Sequence, residues 1–362
     1  MKTVCLNMIV KDEHQVILRC LASVKTFIDY WVIVDTGSTD GTQELIRNFM
    51  KDIPGELFER PWVNFAHNRN EALILAQGKD DYLLIIDADE KIVEIEPLNK
   101  SEWDKDCYLL EAQNTDGTAF YRPNFIRNNS TWRWTDVIHE YLISSKKKTK
   151  QKLTSLIIER VQDGNRCQDP QKRQKDIKIL EDALKTEPNN SRYVFYLAQT
   201  CVAEQEFAKA LKYYEQRASM LGEQDETFLA LFSSGWLQEL LKMAPEIYIQ
   251  SYQKASKQNP YRAEPLFQLA CHYCRAGQVR LGYDLSLRAL DLKKPIGSTI
   301  CYHPWIYDYG LRFVFAECAF ALDRKLEASN AYKSLLTVKN LPDSMRQLAN
   351  QRLDNTFQAV VS

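Results

Sequence analysis

Hydrophobic residues in the first half of the chain form short, nearly continuous runs that alternate with amphipathic stretches. Runs such as YWVIVD and DYLLIID have the length and apolar character of strands that are buried on both faces. The stretches between them repeat their apolar positions at helical spacing. We therefore predict an α/β fold with a parallel sheet covered on both faces. The predicted strands are 3–10, 30–35, 55–60, 81–87, 107–112 and 153–161, and the predicted helices are 14–27, 39–50 and 65–76. Residues 118–144 follow a less regular pattern.

From about Pro170 onward, helical spacing replaces the strand pattern, and a repeat of about 34 residues emerges. The order of large and small residues is typical of a tetratricopeptide (TPR) repeat, in which Gly235 and Ala270 would allow two helices to cross closely. Four windows share this phase: Val194, Leu197, Ala198, Ala210 and Tyr214; Phe232, Gly235, Trp236, Met243, Ala255 and Pro260; Leu266, Leu269, Ala270, Tyr273, Gly277, Ala289 and Pro295; Phe315, Ala316, Ala319, Ala328 and Tyr332. We predict a catalytic α/β domain over 1–165 and an all-α, TPR-like domain over 166–362, with an insertion at 292–309.

Composition narrows the class of function. The 362 residues suit about two domains, and 47 basic against 48 acidic residues leave a formal charge of −1. That balance gives no electrostatic reason to expect a nucleic-acid partner. No stretch approaches the ~20 apolar residues that span a bilayer. The nine cysteines follow no disulfide spacing, and the first residues resemble a strand rather than a signal peptide, so we expect a cytoplasmic protein with reduced thiols.

Polar residues follow four of the predicted strands, at the edge where a parallel sheet binds ligands. The stretch DTGSTDGT after the second strand lacks the glycine patterns of a dinucleotide fold and of a P-loop. Its polar residues suit a turn followed by a helix cap. The same residues can also contact a ligand, and Ser38 can serve as both cap and ligand contact. Asp35 is the stronger ligand candidate, because capping does not account for it.

Asp87-Ala88-Asp89 comes directly after an apolar strand. One interpretation is that charged residues simply return the chain to water. The other is that the two carboxylates share a face of an extended segment and hold a hard cation such as Mg²⁺ or Mn²⁺. The cation would bridge a substrate diphosphate, which two bare carboxylates would repel.

Five stretches in order, VKDE, VIVDTGSTDGT, FAHNRNEAL, LLIIDADE and WTDVIHE, resemble family 2 glycosyltransferases of the GT-A fold. With the trailing repeats, the layout is similar to the branch that contains the bacteriocin peptide S-glycosyltransferases and lipopolysaccharide-core sugar transferases. The resemblance implies a mostly parallel mixed sheet, a metal-binding DxD formed by Asp87 and Asp89, and His139 as a third metal ligand. It also implies that Glu13 and Asp35 surround the nucleoside and that Arg69 contacts the diphosphate. The donor-binding positions implied are Val10, Glu13, Asp35, Ser38, Arg69, Asp87 and Ala88.

The sequence departs from the family pattern at two places. Thr36 stands where many relatives carry an acid that contacts the base, and the acidic pair that many inverting relatives use as catalytic base is absent. Glu140 and Asp136 are the candidates for that base. Trp132 and Trp134 fit either a sugar-stacking role or the core.

These features together predict a metal-dependent hexosyltransferase that uses a nucleotide diphosphate sugar. The donor we expect is UDP-linked, with a sugar of the glucose or N-acetylglucosamine type, and the transfer would invert the anomeric centre. The acceptor would be a peptide, protein or glycan, which the repeat domain could grip, and a homodimer is compatible with the repeats. The rival hypothesis is a non-catalytic TPR scaffold with a degenerate glycosyltransferase domain, since repeat superhelices suit peptide partners.

Overall fold

The computed structural model describes residues 2–295, 298 and 300–361, with the backbone alone over 355–361. The chain forms two compact units, Met1–Glu206 and Phe207–Ser362. The first unit contains the sheet and also helices α5 (Lys172–Thr186) and α6 (Ser191–Ala203). The sequence boundary at residue 165 remains a prediction about domain organisation, whereas compactness divides the chain after residue 206.

An eight-stranded mixed sheet organises the first unit, in the order β3-β2-β1-β4-β7-β6-β10-β5. Strands β1 to β4 are mutually parallel where they pair, β10 is parallel to β6, and β7 and β5 run antiparallel to their neighbours. The predicted mixed, mostly parallel sheet is confirmed. The strands of this sheet are β1 (Val4–Val10), β2 (Tyr30–Asp35), β3 (Gly55–Glu59), β4 (Tyr82–Ile85), β5 (Glu90–Glu94), β6 (Cys107–Asn114), β7 (Ala119–Arg127) and β10 (Lys150–Arg160).

Helices flank the sheet and bury the apolar faces that the sequence pattern indicated. The central strands are buried almost along their whole length, and helix α1 contributes Ile17, Cys20, Leu21 and Val24 to the same core. The helices of this part are α1 (Ile17–Val24), α2 (Thr42–Phe49), α3 (Phe65–Leu75) and the short α4 (Asn165–Gln168). All three helices predicted from periodicity therefore exist; α1 and α2 are shorter than predicted at both ends, and α3 begins as predicted and ends one residue earlier.

The stretch over 118–144 is more regular than its pattern indicated. It contains β7, which lies between β4 and β6 near the centre of the sheet, and a separate hairpin of β8 (Trp132–Thr135) and β9 (Tyr141–Ser144). Pro123 lies within β7, where the pairing with β6 shifts register, and that irregularity hides the strand pattern.

The second unit consists of helical hairpins. Gly235 of α8 lies against Tyr252 of α9, and a Cβ added to Gly235 would come within 2.7 Å of the tyrosine ring, as the predicted close crossing requires. The predicted TPR-like organisation is thereby confirmed. The helices are α7 (Phe207–Ser219), α8 (Gln224–Leu240), α9 (Pro245–Gln258), α10 (Glu264–Arg275), α11 (Val279–Ala289), α12 (Leu311–Ala321), α13 (Lys325–Leu336) and α14 (Asp343–Val361), with a π-helical turn at Ile306–Gly310.

Among the described residues, no helix combines the length and the hydropathy that crossing a bilayer requires.

Candidate active site

The loops that follow β1 and β2 are hydrogen-bonded to each other at the carboxyl edge of the sheet. Asp12, whose φ is +54°, donates its amide to the Ser38 hydroxyl over 2.8 Å, and its carboxylate accepts the Thr39 amide over 2.7 Å. The carbonyl of Val10 accepts the amide of Thr36 over 2.9 Å. Ser38 is therefore a loop contact in this structure, and its predicted role toward a donor remains a proposal.

Asp35 ends β2 and is fully buried. Its Oδ1 accepts the amides of Gly37 and Ser38, each over 2.9 Å, and the side-chain amide of Gln43. Asp35 does not cap α2, whose N-cap is Gly41, but its carboxylate builds the turn after β2, a structural role that the sequence pattern did not indicate. Its Oδ2 is buried and has no hydrogen-bond partner within the described part of the chain. Burying a carboxylate oxygen without a hydrogen bond costs folding free energy, and a ligand that donates a hydrogen bond at this edge would offset that cost.

Arg69 of α3 joins Asp87 to Glu140. Its Nη2 donates to Oδ1 of Asp87 and its Nε donates to Oε1 of Glu140, each over 2.7 Å, and its guanidinium lies 5.0 Å from the Trp134 ring centroid. Burial would raise the pKa of Asp87, but Arg69 and Arg122 outweigh it and hold the pKa well below its usual value. Asp87 is therefore ionised at neutral pH.

Glu90 supports Asp87 from behind and was not assigned a role from the sequence. Its Oε2 accepts the Asp87 amide over 3.1 Å, and its side chain forms ion pairs with Arg122 of β7 and Arg160 of β10. Glu90 is only 1% exposed, and burial raises its pKa above the usual value. These residues fix the turn that carries the DxD. The only sequence signal for this arrangement was Glu90 itself, the last residue of DADE.

Asp89 and Glu13 lie on either side of Gly164. A Cβ on this glycine would lie 3.0 Å from Oε2 of Glu13 and 3.1 Å from Cβ of Asp89. Burial, together with the charges of Asp89, Asp40 and Asp87, raises the pKa of Glu13 to about 7. Burial and the Asp87 charge raise the pKa of Asp89 as well. Burial is thus the main cause of both pKa shifts, and the neighbouring acids add to it, although Arg160 acts on Asp89 in the opposite direction.

A cleft of about 430 Å³ opens beside these carboxylates. Among the described residues that line the cleft, four are acidic, one is His14, and none is lysine or arginine. The lining comprises Asp12, Glu13, His14, Gln15, Val16, Thr39, Asp40, Asp163, Asn165 and Gln168. Such a surface attracts cations.

His139 and Asp136 lie in the segment before β9. His139 is exposed by its surface area, yet its ring stacks on Tyr196 with centroids 4.2 Å apart. Dense packing around the ring and the nearby cations, first Lys172 and then Arg192, lower the pKa of His139 below its usual 6.5. A neutral imidazole can serve as a metal ligand. Asp136 accepts a hydrogen bond from Arg192 over 3.0 Å.

Asp87 and Asp89 are the carboxylates predicted to hold a divalent cation; Arg69 donates to Oδ1 of Asp87, and Arg122 lies 3.7 Å from its Oδ2. Within residues 2–295, 298 and 300–361, no three His, Cys, Asp or Glu side chains gather as a metal-holding group, so His139 does not join the two aspartates in this arrangement. A cation held by one or two carboxylates plus substrate phosphates does not require such a group. The crowded acids around Gly164 are consistent with that mode of binding, and the role of His139 stays a prediction.

The remaining sequence candidates divide between backbone and core. Val10 and Ala88 are buried, 3% and 5% exposed, and their side chains belong to the core, so their predicted contacts with a donor remain predictions. Trp132 is 9% exposed, which favours the core, whereas Trp134 is half-buried beneath Arg69.

The chain contains a mostly parallel α/β domain with acidic residues at the carboxyl edge of its sheet. Helical hairpins follow this domain. Residues 5–159 match the family model described as glycosyl transferase family 2. That segment is a family 2 glycosyltransferase domain, and TPR-like helical repeats follow it.

Sequence relatives match parts of the chain. A TPR repeat-containing protein of Synechococcus elongatus is 38% identical over 94 residues, which cover 26% of this chain and 22% of that protein. An uncharacterised glycosyltransferase of Rickettsia bellii is 29% identical over 121 residues, 33% of this chain and 37% of that protein. The chain thus spans well under half the length of these curated relatives.

Among solved structures, a thermophilic TPR protein of Thermus thermophilus is similar over 50% of this chain and 91% of that one, at 17% identity and a TM-score of 0.35.

Proposed function

We propose that the protein is a metal-dependent glycosyltransferase that moves a hexose, of the glucose or N-acetylglucosamine type, from a UDP-linked donor to a peptide, protein or glycan acceptor. The observation that carries the proposal is the placement of Asp87-Ala88-Asp89 just beyond β4 inside the family 2 segment, with Asp87 tied to Arg69 and Arg122. Two arginines fix the first acid, while the second lies half-buried beside Glu13.

Each residue has a proposed role in binding the donor. Asp87 and Asp89 would hold Mn²⁺ or Mg²⁺; His139, which is not grouped with them in the described structure, would join them as a further ligand when the donor binds. When bound, the cation would neutralise charge on the departing diphosphate. Asp35 and Glu13 would face the nucleoside. Arg69 would orient Asp87 and add positive charge near the diphosphate, which is consistent with its burial between two carboxylates.

The transfer step would be a single displacement with inversion. A nucleophilic oxygen or sulfur of the acceptor forms a bond to the anomeric carbon as the bond to the diphosphate oxygen breaks. The acceptor proton passes to a carboxylate. We propose Glu140 for this role, because it lies in contact with Arg69, the residue that also contacts Asp87. Asp136 is the alternative.

A peptide or protein acceptor is supported by the repeats, whose surfaces suit extended chains. Around the turn between α8 and α9, the second unit exposes a run of large apolar side chains, the kind of surface on which a peptide can dock: Trp236, Leu240, Leu241, Met243 and Ile247.

A donor screen tests this function. The full-length protein is incubated with Mn²⁺, cell extract and one labelled donor: UDP-glucose, UDP-N-acetylglucosamine or GDP-mannose. Mass spectrometry then follows the release of nucleoside diphosphate and the formation of labelled products. We expect one UDP-sugar to be consumed and Asp89→Asn to abolish its consumption. A protein that consumes none of the donors, or an Asp89→Asn variant as active as wild type, would favour the rival scaffold hypothesis.

A further inference from the structure

Helix α6 contacts the segment that carries Glu140 through two residues one helical turn apart. Arg192 donates from Nε to Asp136 over 3.0 Å and from Nη2 to the His139 carbonyl over 3.3 Å. The ring of Tyr196 stacks on that of His139 with an interplanar angle of 8°. Residues four apart lie on the same face of a helix, so one face of α6 grips the segment at both of its ends.

The gripped segment has a backbone that needs external support. Asp136 and His139 both adopt positive φ, +80° and +54°, although neither is glycine. Such conformations persist where the surroundings impose them, and they cluster at functional sites. Arg192 contacts both strained residues, the first through its carboxylate and the second through its carbonyl. The helix thus fixes the two points where the backbone is strained.

This segment leads directly to the acids of the site. Glu140 follows His139 and accepts from Arg69, which in turn donates to Asp87. The side chains of Asp136, Arg69 and Glu140 are 12%, 11% and 12% exposed, so the chain of contacts runs through a largely desolvated region. A shift of the segment would therefore displace Glu140 and, through Arg69, the first acid of the DxD.

Helix α6 lies outside the residues that match the family model, which end at 159. We infer that Arg192 and Tyr196 are positioning residues for sugar transfer, and that the glycosyltransferase domain is completed by the first helices of the repeat region. This inference rests on the proposed function. It goes beyond that function because it assigns to α6 a role in the chemistry rather than in acceptor binding.

Kinetics of the full-length protein test the inference. UDP release is measured with the UDP-sugar selected in the donor screen and Mn²⁺. Arg192→Ala and Tyr196→Ala should lower kcat by roughly 10- to 100-fold, the range expected for a displaced catalytic group, with little change in KM for the donor. Arg192→Lys should recover part of kcat, because lysine keeps the charge but not the two-point contact. Tyr196→Phe, which keeps the ring, should recover most of it.

Arg280→Ala is the matched control, since Arg280 pairs with Asp284 on an exposed face of α11. It should leave kcat unchanged. Amide hydrogen exchange gives a second readout that does not depend on turnover: Arg192→Ala should increase exchange over residues 134–142, whereas Arg280→Ala should not.

The outcomes separate the two proposals. An active wild type, with an Arg192→Ala variant whose kcat stays within twofold or whose exchange over 134–142 is unchanged, would overturn the positioning role alone. A wild type that turns over none of the UDP-sugars would overturn the proposed function together with this inference.

Discussion

The guanidinium of Arg69 and the carboxylate of Asp87 lie 2.7 Å apart, although one residue is on α3 and the other follows β4. The same guanidinium holds Glu140 on its other side. One buried guanidinium therefore sets the positions of the first DxD acid and of the proposed base.

Replacing Arg69 by alanine should cost both activity and stability. The change leaves Asp87 and Glu140 without the guanidinium that pairs with both of them. Breaking a largely buried ion pair costs about 3 kcal/mol of folding stability. We expect kcat/KM to fall by at least about 100-fold and the melting temperature to drop. Arg69→Lys should keep stability better than activity, because one ammonium cannot reproduce the two-directional fork. Equal activity of Arg69→Ala and wild type would contradict the link.

Gly164→Ala should impair donor binding more than folding. The φ of Gly164 is −63°, which alanine adopts without strain. The new methyl group would lie 3.0 Å from Glu13 and 3.1 Å from Asp89, so one of these carboxylates must move. We expect the Mn²⁺-dependent affinity for UDP to fall severalfold, with a nearly unchanged melting temperature. An unchanged affinity would show that the crowded acids play no part in binding.

Gly235→Ala should destabilise the second unit. Alanine would gain up to about 1 kcal/mol in helix propensity, but its Cβ would approach the ring of the fully buried Tyr252 to 2.7 Å. Overpacking of this kind costs roughly 1–3 kcal/mol, so the net effect should be a loss of stability. Thermal unfolding followed by circular dichroism measures it. A more stable variant would mean that the α8–α9 crossing is looser than described.

Acid should weaken the second unit through Glu264. This carboxylate is buried; burial would raise its pKa, but Arg262 and Tyr307 outweigh burial and lower it. A folded-state pKa below the unfolded value gives stability that is present above about pH 4.5 and is lost as the pH falls through the folded-state pKa. Glu264→Gln should therefore show a flatter dependence of stability on pH below about 5. A variant with the wild-type pH dependence would contradict this assignment.

The sequence predicted the central strands, the flanking helices and the repeats, because these follow from uninterrupted hydrophobic periods. It did not reveal β7, where Pro123 and a register shift break the alternation that marks a strand. The acids at the sheet edge were predicted from their position after apolar runs. The pairing of Arg122 with Asp87 and of Arg160 with Glu90 was not predicted, since these arginines lie on strands distant in the chain that only the sheet order brings together.

The turn after β2 gives a second reason why local pattern was insufficient. Helix capping gives no role to Asp35, which makes it a ligand candidate, yet its carboxylate accepts two amides of its own turn. A carboxylate has several acceptor sites, so a structural role leaves Oδ2 for another partner, and the sequence cannot distinguish the two oxygens.

Calorimetric titration of UDP into the full-length protein, with Mn²⁺ or with EDTA, tests the central claim most directly. We predict binding with Mn²⁺ that EDTA abolishes, and at least a tenfold loss of affinity in Asp89→Asn. The exposed Glu96, replaced by glutamine, is the matched control and should bind as wild type does. UDP binding that is the same with EDTA, or the same in Asp89→Asn, would show that no cation joins these aspartates to a diphosphate.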